Sequence, residues 1–165
     1  LKNDVLGRRF HIDEHPRFEA ICQSLHPVRF SATSPLPDPY DGLLIEHDGF
    51  VIACPEYNGS ITAVLKNAID WASRREGEED ALAAFTGKTV SLMSASPGSL
   101  GGLRGLVHAR AILNNLGCLV LPEQKAVSQA YAAFNEDGSL VKKLEQLAIR
   151  NQGAKLTEIL IKLKS

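Results

Sequence analysis

One stretch constrains this chain more than any other: an apolar run, Gly49 to Cys54 (GFVIAC), that halts at Pro55-Glu56-Tyr57-Asn58-Gly59-Ser60 and gives way to a helical run from Ile61 to Arg75. The first run is short, uncharged, β-branched and aromatic. That composition predicts a strand buried on both faces, as in a parallel sheet under helices. Pro55 lacks the donor that would continue the ladder. Gly59 lets the chain turn, and Ser60 is placed to cap the following helix through its side-chain oxygen. Ile61, Val64, Leu65, Ala68, Ile69 and Ala72 recur at helical spacing and form an apolar stripe. The stretch is therefore a β-loop-α unit.

In open α/β sheets, ligands bind beyond the carboxyl ends of the strands, where loop amides and helix N-termini offer donors. The six residues from Pro55 to Ser60 stand at such an end. Tyr57 offers a flat aromatic face, Asn58 an amide that both donates and accepts, and Gly59 a backbone that a ligand can approach closely. A planar ligand with polar edges suits that set. Turn chemistry alone also accounts for the same residues as an ordinary βα connection.

A second unit of the same kind follows. Glu76 to Asp80 is a charged patch that reads as a solvated loop. Lys88 to Ser94 (KTVSLMS) is the next strand, and it opens into Ala95-Ser96-Pro97-Gly98-Ser99-Leu100-Gly101-Gly102, with a helix running on through Asn115. The glycine spacing fits neither GxGxxG nor GxxxxGK[ST], so a dinucleotide fingerprint or P-loop is not supported. Leu116 to Leu121 reads as a strand ending at Pro122, with Ala126 to Ser128 as a possible extension, and Asn135 to Gly138 as a turn. A last amphipathic helix places Leu140, Leu144, Leu147, Ala148, Leu156, Ile159, Leu160 and Leu163 on its buried face, with Gly153 marking a bend. Strands alternating with helices predict an α/β fold, a three-layer doubly wound parallel sheet.

At 165 residues and 44% hydrophobic content, the chain suits a single domain, 1–165, with a substantial core. Its 18 basic and 19 acidic residues leave a net charge of −1, so it carries no electrostatic footprint for nucleic acid or an anionic membrane. No run approaches a membrane span and no basic-then-apolar leader is visible, which makes a cytoplasmic protein the expectation. Cys22, Cys54 and Cys118 are far apart and form no CxxC. Cys54 and Cys118 lie in apolar runs, where a thiol behaves as a small hydrophobe.

The first 48 residues are less patterned. LKNDVLGRRFHIDEH shows neither strand alternation nor a helical stripe. Pro16 to Leu25 aligns Phe18, Ile21, Cys22 and Leu25 on one helical face, and Val28 to Ser31 reads as a strand. Pro35, Pro37 and Pro39 make a stiff loop, and a helical turn is expected near Leu43 to His47. His11 and His15 stand four apart, but the order is not HExxH, no third ligand is indicated, and Pro16 argues against a continuing helix, so no metal is assigned.

The segment PEYNGSITAVLKNAIDWASR, together with Ser94-Ala95-Ser96-Pro97-Gly98-Ser99-Leu100-Gly101-Gly102, resembles the NAD(P)H-dependent FMN reductase family, which is flavodoxin-like and includes quinone, azo-dye and chromate reductases. From Gly49 to about Asp137 the order of elements is similar to the family's. The resemblance implies a five-stranded parallel sheet in flavodoxin-like order, FMN and NAD(P)H as cofactors, and a homodimer or homotetramer. It further implies that Pro55, Glu56, Tyr57, Asn58 and Gly59 border the flavin from one loop, and Ser96, Pro97, Gly98 and Gly101 from the other, with Glu56 and Asn58 as alternative braces of the loop. Thr62-Ala63 stands where the family carries Pro-Gly. The family's first strand and its phosphate-holding loop have no counterpart in the pattern of residues 1–48. Leu6-Gly7-Arg8-Arg9 is the nearest candidate for that loop. Either the sequence is truncated or the phosphate end is built differently.

Three functions follow from these readings. The first is an FMN-dependent oxidoreductase passing electrons from NAD(P)H to a quinone or similar small acceptor; it needs no protein acid, base or nucleophile to carry the redox step, which matches the absence of one in the motifs. The second is a flavodoxin-like interaction module that has lost its cofactor. The third is a serine hydrolase using Ser96, since Ser94-Ala95-Ser96-Pro97-Gly98 approximates the GxSxG elbow, although no histidine follows residue 108.

Overall fold

The computed structural model describes residues 44–74, 78, 80–136 and 138–164. The helix expected over Pro16 to Leu25, the strand at Val28 to Ser31, the proline loop, and with them Arg8, Arg9, His11, His15 and Cys22, lie outside the described residues. Residues 44–46 form the expected helical turn. From Gly49 the chain runs through β1 (Gly49–Ala53), β2 (Glu56–Tyr57), β3 (Ser60–Ile61), α1 (Ala63–Ala72), β4 (Thr89–Ala95), α2 (Leu103–Asn115), β5 (Leu119–Val127), α3 (Ala130–Ala133) and α4 (Lys143–Lys164).

β1, β4 and β5 form a parallel sheet in that order, with Phe50 opposite Val90 and Val90 opposite Val120. β4 is central, and its first six residues are buried. One core gathers Phe50, Ile69, Ala72, Val90, Leu92, Leu106, Ala109 and Leu113 between the sheet and helices α1 and α2. A second gathers Met93, Val127, Ala133, Leu140 and Ile149 on the other face, under α4. Helices thus cover both faces of a parallel sheet, the three-layer arrangement expected of right-handed β-α-β crossovers. Trp71 is half-buried and packs against the first core.

Four expectations are corrected by the packing. β1 is not sealed on both faces: Phe50 is buried, but Val51 and Ile52 are half-buried and Ala53 is exposed, because α2 and α4 pack chiefly over β4 and β5. The cap of α1 is Thr62 rather than Ser60. Thr62 Oγ1 accepts from the Leu65 amide at 3.1 Å, and the helix starts at Ala63. Ser60 is instead taken up by a hairpin.

Pro122 does not end β5, which runs unbroken to Val127. The register with β4 shifts between Val90 and Leu92, whose partners are Val120 and Gln124. Pro122 sits in the extra residues of that bulge, where no ladder donor is required. Arg110 of α2 secures it, donating to Val120 O at 3.2 Å and to Gln124 Oε1 at 3.0 Å.

α4 is continuous through Gly153, and its buried residues are Ile149, Gln152, Gly153 and Leu156. Leu144, Leu147 and Leu163, expected inside, are 82%, 53% and 61% exposed. The cause is Gln152, whose Nε2 donates to Ser91 Oγ and to Leu92 O, both at 2.6 Å. A buried amide must be satisfied, and those bonds to β4, with a glycine beside them allowing close approach, set the rotation of the helix.

Candidate functional site

The carboxyl ends of β1 and β4 carry the two loops singled out in the sequence. The first is a tight hairpin. Tyr57 pairs with Ser60 and Glu56 with Ile61, and Asn58 and Gly59 form the two-residue turn at φ 54° and 83°. Positive φ at both central residues is what a type I′ turn demands, and Asn-Gly meets it at least cost. The second loop is stapled to the end of β5: the Ser96 amide donates to Val127 O at 3.1 Å, the Gln129 amide to Gly98 O at 3.2 Å, and the Ala130 amide to Ser96 O at 3.0 Å.

Glu56 joins the two loops. One carboxylate oxygen accepts from the backbone amides of Arg104 and Gly105, at 3.0 and 3.2 Å, and the other from the Arg104 guanidinium at 2.6 and 2.9 Å. α2 has no cap of its own, since Gly102 precedes it in the left-handed region, so Glu56 serves as a cap delivered from another element. The Glu56 side chain is 7% exposed. Burial pushes its pKa up, but the Arg104 and amide hydrogen bonds outweigh it and hold the carboxyl below its ordinary value. Glu56 is therefore the brace among the predicted contacts, and the first amides of α2 are spent on it.

The glycines divide by role. A Cβ on Gly98 would meet nothing closer than Ser96 Oγ at 3.9 Å. One on Gly101, at φ 61°, would lie 2.7 Å from the Val127 carbonyl carbon and 2.8 Å from the Ser128 nitrogen, and one on Gly102 would lie 2.9 Å from the Ser94 side chain. Gly101 and Gly102 are thus imposed by backbone packing. Gly98 alone of the three leaves open space over the loop. Backbone packing is thus reason enough for Gly101, whether or not its backbone borders a flavin. Ser94, whose Oγ donates to Gly101 O at 2.7 Å, completes the packing.

What faces outward is Tyr57, 65% exposed, with Asn58, Pro97 and Gly98. Pro55, Gly59 and Ser96 are half-buried. A planar ring with a polar edge fits this set: an aromatic face, an amide, and an open glycine whose space a side chain would fill. FMN when bound supplies a two-electron redox centre, and these residues would hold its ring. Residues for its phosphate are not among those just described.

Ser96 does not have the partner a nucleophile needs. Its Oγ accepts from the Gly98 amide at 3.4 Å. Of the described histidines, His47 precedes β1 at the far edge of the sheet, and His108 pairs with Ser60, Nδ1 to Oγ at 2.8 Å. Sequence reasoning missed Arg104 and His108. Their spacing of four on a helix that starts at a strand-end loop was the available signal, since it places both on one face beside the hairpin. Among the described residues no group of three or more His, Cys, Asp or Glu could hold a metal ion, and no helix is long and apolar enough to cross a membrane.

Comparison with known proteins places the chain among flavin reductases. FerB, a flavoenzyme NAD(P)H:(acceptor) oxidoreductase from Paracoccus denitrificans, superposes with a TM-score of 0.64 at 25% identity, covering 75% of this chain and 66% of that one. The NADH:(hydroxy)cinnamate reductase subunit CrdA of Vibrio ruber is 37% identical over 124 residues, 72% of this chain and 58% of CrdA. A shorter stretch of 55 residues, 33% of this chain, is 60% identical to the anaerobic nitric oxide reductase transcription regulator NorR of Aeromonas hydrophila. This chain spans 11% of that regulator. The profile of the NADPH-dependent FMN reductases matches residues 9–132 and so extends the likeness well before Gly49, into the segment whose pattern shows no counterpart. With a flavodoxin-like sheet and strand-end loops of the right composition, the chain belongs to the NADPH-dependent FMN reductase family.

Proposed function

We propose that this protein, as one domain over residues 1–165, is an FMN-dependent oxidoreductase that takes electrons from NAD(P)H and passes them to a quinone or a similar small acceptor. The observation that carries the reading is the pair of strand-end loops, held by the Glu56 and Arg104 brace, with Tyr57 of the first and Gly98 of the second exposed. The protein's part is to bind and orient flat rings. Tyr57, Asn58 and the backbone at Pro97 and Gly98 do so, while the brace keeps a buried carboxylate paired and the loops in fixed relation. Glu56 is neutralised by Arg104, so no uncompensated negative charge opposes an electron-rich ring.

The reading includes a cytoplasmic, homodimeric or homotetrameric protein. Cys54 and Cys118 are buried free thiols, in keeping with a reducing compartment. Val64 on α1 and Leu103 and Val107 on α2 are exposed apolar residues, in keeping with a covered surface. Sedimentation showing only a 17.9 kDa species would count against the oligomer.

The test of function is direct. Purified protein mixed with FMN should retain a flavin absorbing at about 450 nm after gel filtration and should oxidise NADPH in the presence of a quinone. A fold that keeps no flavin would favour an interaction module instead.

A further inference from the structure

Ser60 and His108 are 48 residues apart and meet at 2.8 Å on the surface beside the hairpin. Neither is needed to hold a ring. Ser60 is the cross-strand partner of Tyr57, so its side chain lies beside the aromatic face proposed to border the flavin. Resting on the flavin reductase reading, we propose that His108 is the proton donor to the reduced acceptor, and that Ser60 holds its Nδ1 so that the Nε2–H is left for the acceptor oxygen.

The chemistry of the acceptor calls for such a group. Converting a quinone to a hydroquinone takes two electrons and two protons. Two electrons and one proton would reach the acceptor as a hydride equivalent from bound reduced flavin, and an oxyanion would be left on it. A C=O bond has then become a C–O⁻, and an O–H bond must form as an N–H bond breaks on the donor. Solvent returns the proton to the imidazole afterwards. Imidazole is the ordinary side chain that exchanges protons near neutral pH.

Among the neighbouring groups the Tyr57 phenol also carries a proton, but a phenol, with an ordinary pKa of about 10, is less suited to donation near neutral pH than an imidazole. Glu56 is ionised and fully engaged by Arg104 and two amides, and Arg104 does not give up its proton. In imidazolium form both ring nitrogens of His108 are donors, and Nδ1 has Ser60 Oγ as its acceptor. Nε2 is the nitrogen that remains, and His108 is exposed, within reach of an entering molecule.

The experiment compares two acceptors in His108→Gln and Ser60→Ala: a benzoquinone, which must be protonated, and ferricyanide, which accepts electrons alone. His108→Gln should lower the ratio of quinone to ferricyanide rates by tenfold or more, in the range general acids supply, and Ser60→Ala by a smaller factor. The second readout is independent of turnover. In FMN-free protein, Ser60→Ala should move the His108 Nδ1 resonance in nitrogen NMR. An unchanged rate ratio in His108→Gln would overturn the proton-donor role, and an unmoved Nδ1 resonance would overturn that of Ser60. Parent protein that binds no FMN would overturn the functional reading, and this proposal with it, whereas parent protein that reduces both acceptors while the variants keep its ratio would sink this proposal alone.

Discussion

Glu56 and Arg104 lie 48 positions apart in the chain, yet the carboxylate and guanidinium meet at 2.6 Å, with the acid 7% and the base 63% exposed. The asymmetry matters. An exposed ion pair contributes little by itself, but this carboxylate also caps the bare N-terminus of α2. Glu56→Gln is expected to cost about 1 kcal/mol, the usual worth of a cap, and Glu56→Ala somewhat more. Arg104→Ala should cost less than either, because the two amide bonds survive it. Urea unfolding of the three variants gives the order.

The same carboxylate makes stability depend on acid. The folded-state pKa of Glu56 is held below its ordinary 4.5, so its contribution is complete above that value and is lost as pH falls through the lower, folded pKa. Between pH 5 and the acid unfolding midpoint, Glu56→Gln should therefore lose stability less steeply than the parent. Thermal melts across that interval decide it, and parallel curves would remove Glu56 from the account.

Gly98 and Gly101 should separate cleanly. Gly101→Ala combines a left-handed backbone with overlap against the Val127 and Ser128 backbone, and is expected to cost about 2 kcal/mol or more. A Cβ on Gly98 meets only Ser96 Oγ, at an ordinary 3.9 Å, so Gly98→Val should melt near the parent while losing FMN. Equal FMN affinity in the Gly98→Val variant and the parent would take Gly98 out of the site.

Gln152→Leu would leave the buried Ser91 hydroxyl without its partner. A cost of about 1 to 3 kcal/mol is expected, the penalty of an unsatisfied buried group. Measured by urea unfolding, a neutral result would mean that the hydroxyl oxygen finds another donor.

FMN and riboflavin are expected to bind with affinities within about tenfold of each other. Each charge-assisted bond to a phosphate is worth about 1.5 to 3 kcal/mol, and the amides at the start of α2 are already committed to Glu56. Calorimetric titration of both ligands is the measurement. A strong preference for FMN would point to Arg8 and Arg9, and Arg8→Ala with Arg9→Ala should then erase it.

The sequence made the sheet legible wherever local and tertiary signals agreed. The strands at Gly49 and Thr89 follow from apolar runs bounded by proline and glycine, and the first long helix from its apolar stripe, though not its start after Thr62. Reading failed where one residue answered to a distant partner. Pro122 is a strand terminator by local rule, but a bulge with Arg110 behind it absorbs the missing donor. The apolar pattern from Leu140 to Leu163 places Leu140 and Leu156 inside correctly but Leu144, Leu147 and Leu163 wrongly, because it carries no trace of the bonds from Gln152 to Ser91 and Leu92. At the candidate site the loops themselves were legible, whereas the division of labour within them was not: nothing local to Glu56 reveals Arg104, and nothing local to Gly101 reveals Val127.

Gln152 has one more consequence. Greasy surfaces tolerate sliding and turning, and a helix as rich in leucine as α4 offers the sheet several nearly equivalent seats. Two directed bonds from one amide to Ser91 and Leu92 are met in only one of them. The glutamine thus works as an address written on the helix: it tells α4 where to stop, and leaves to Ile149 and Leu156 the task of holding it there.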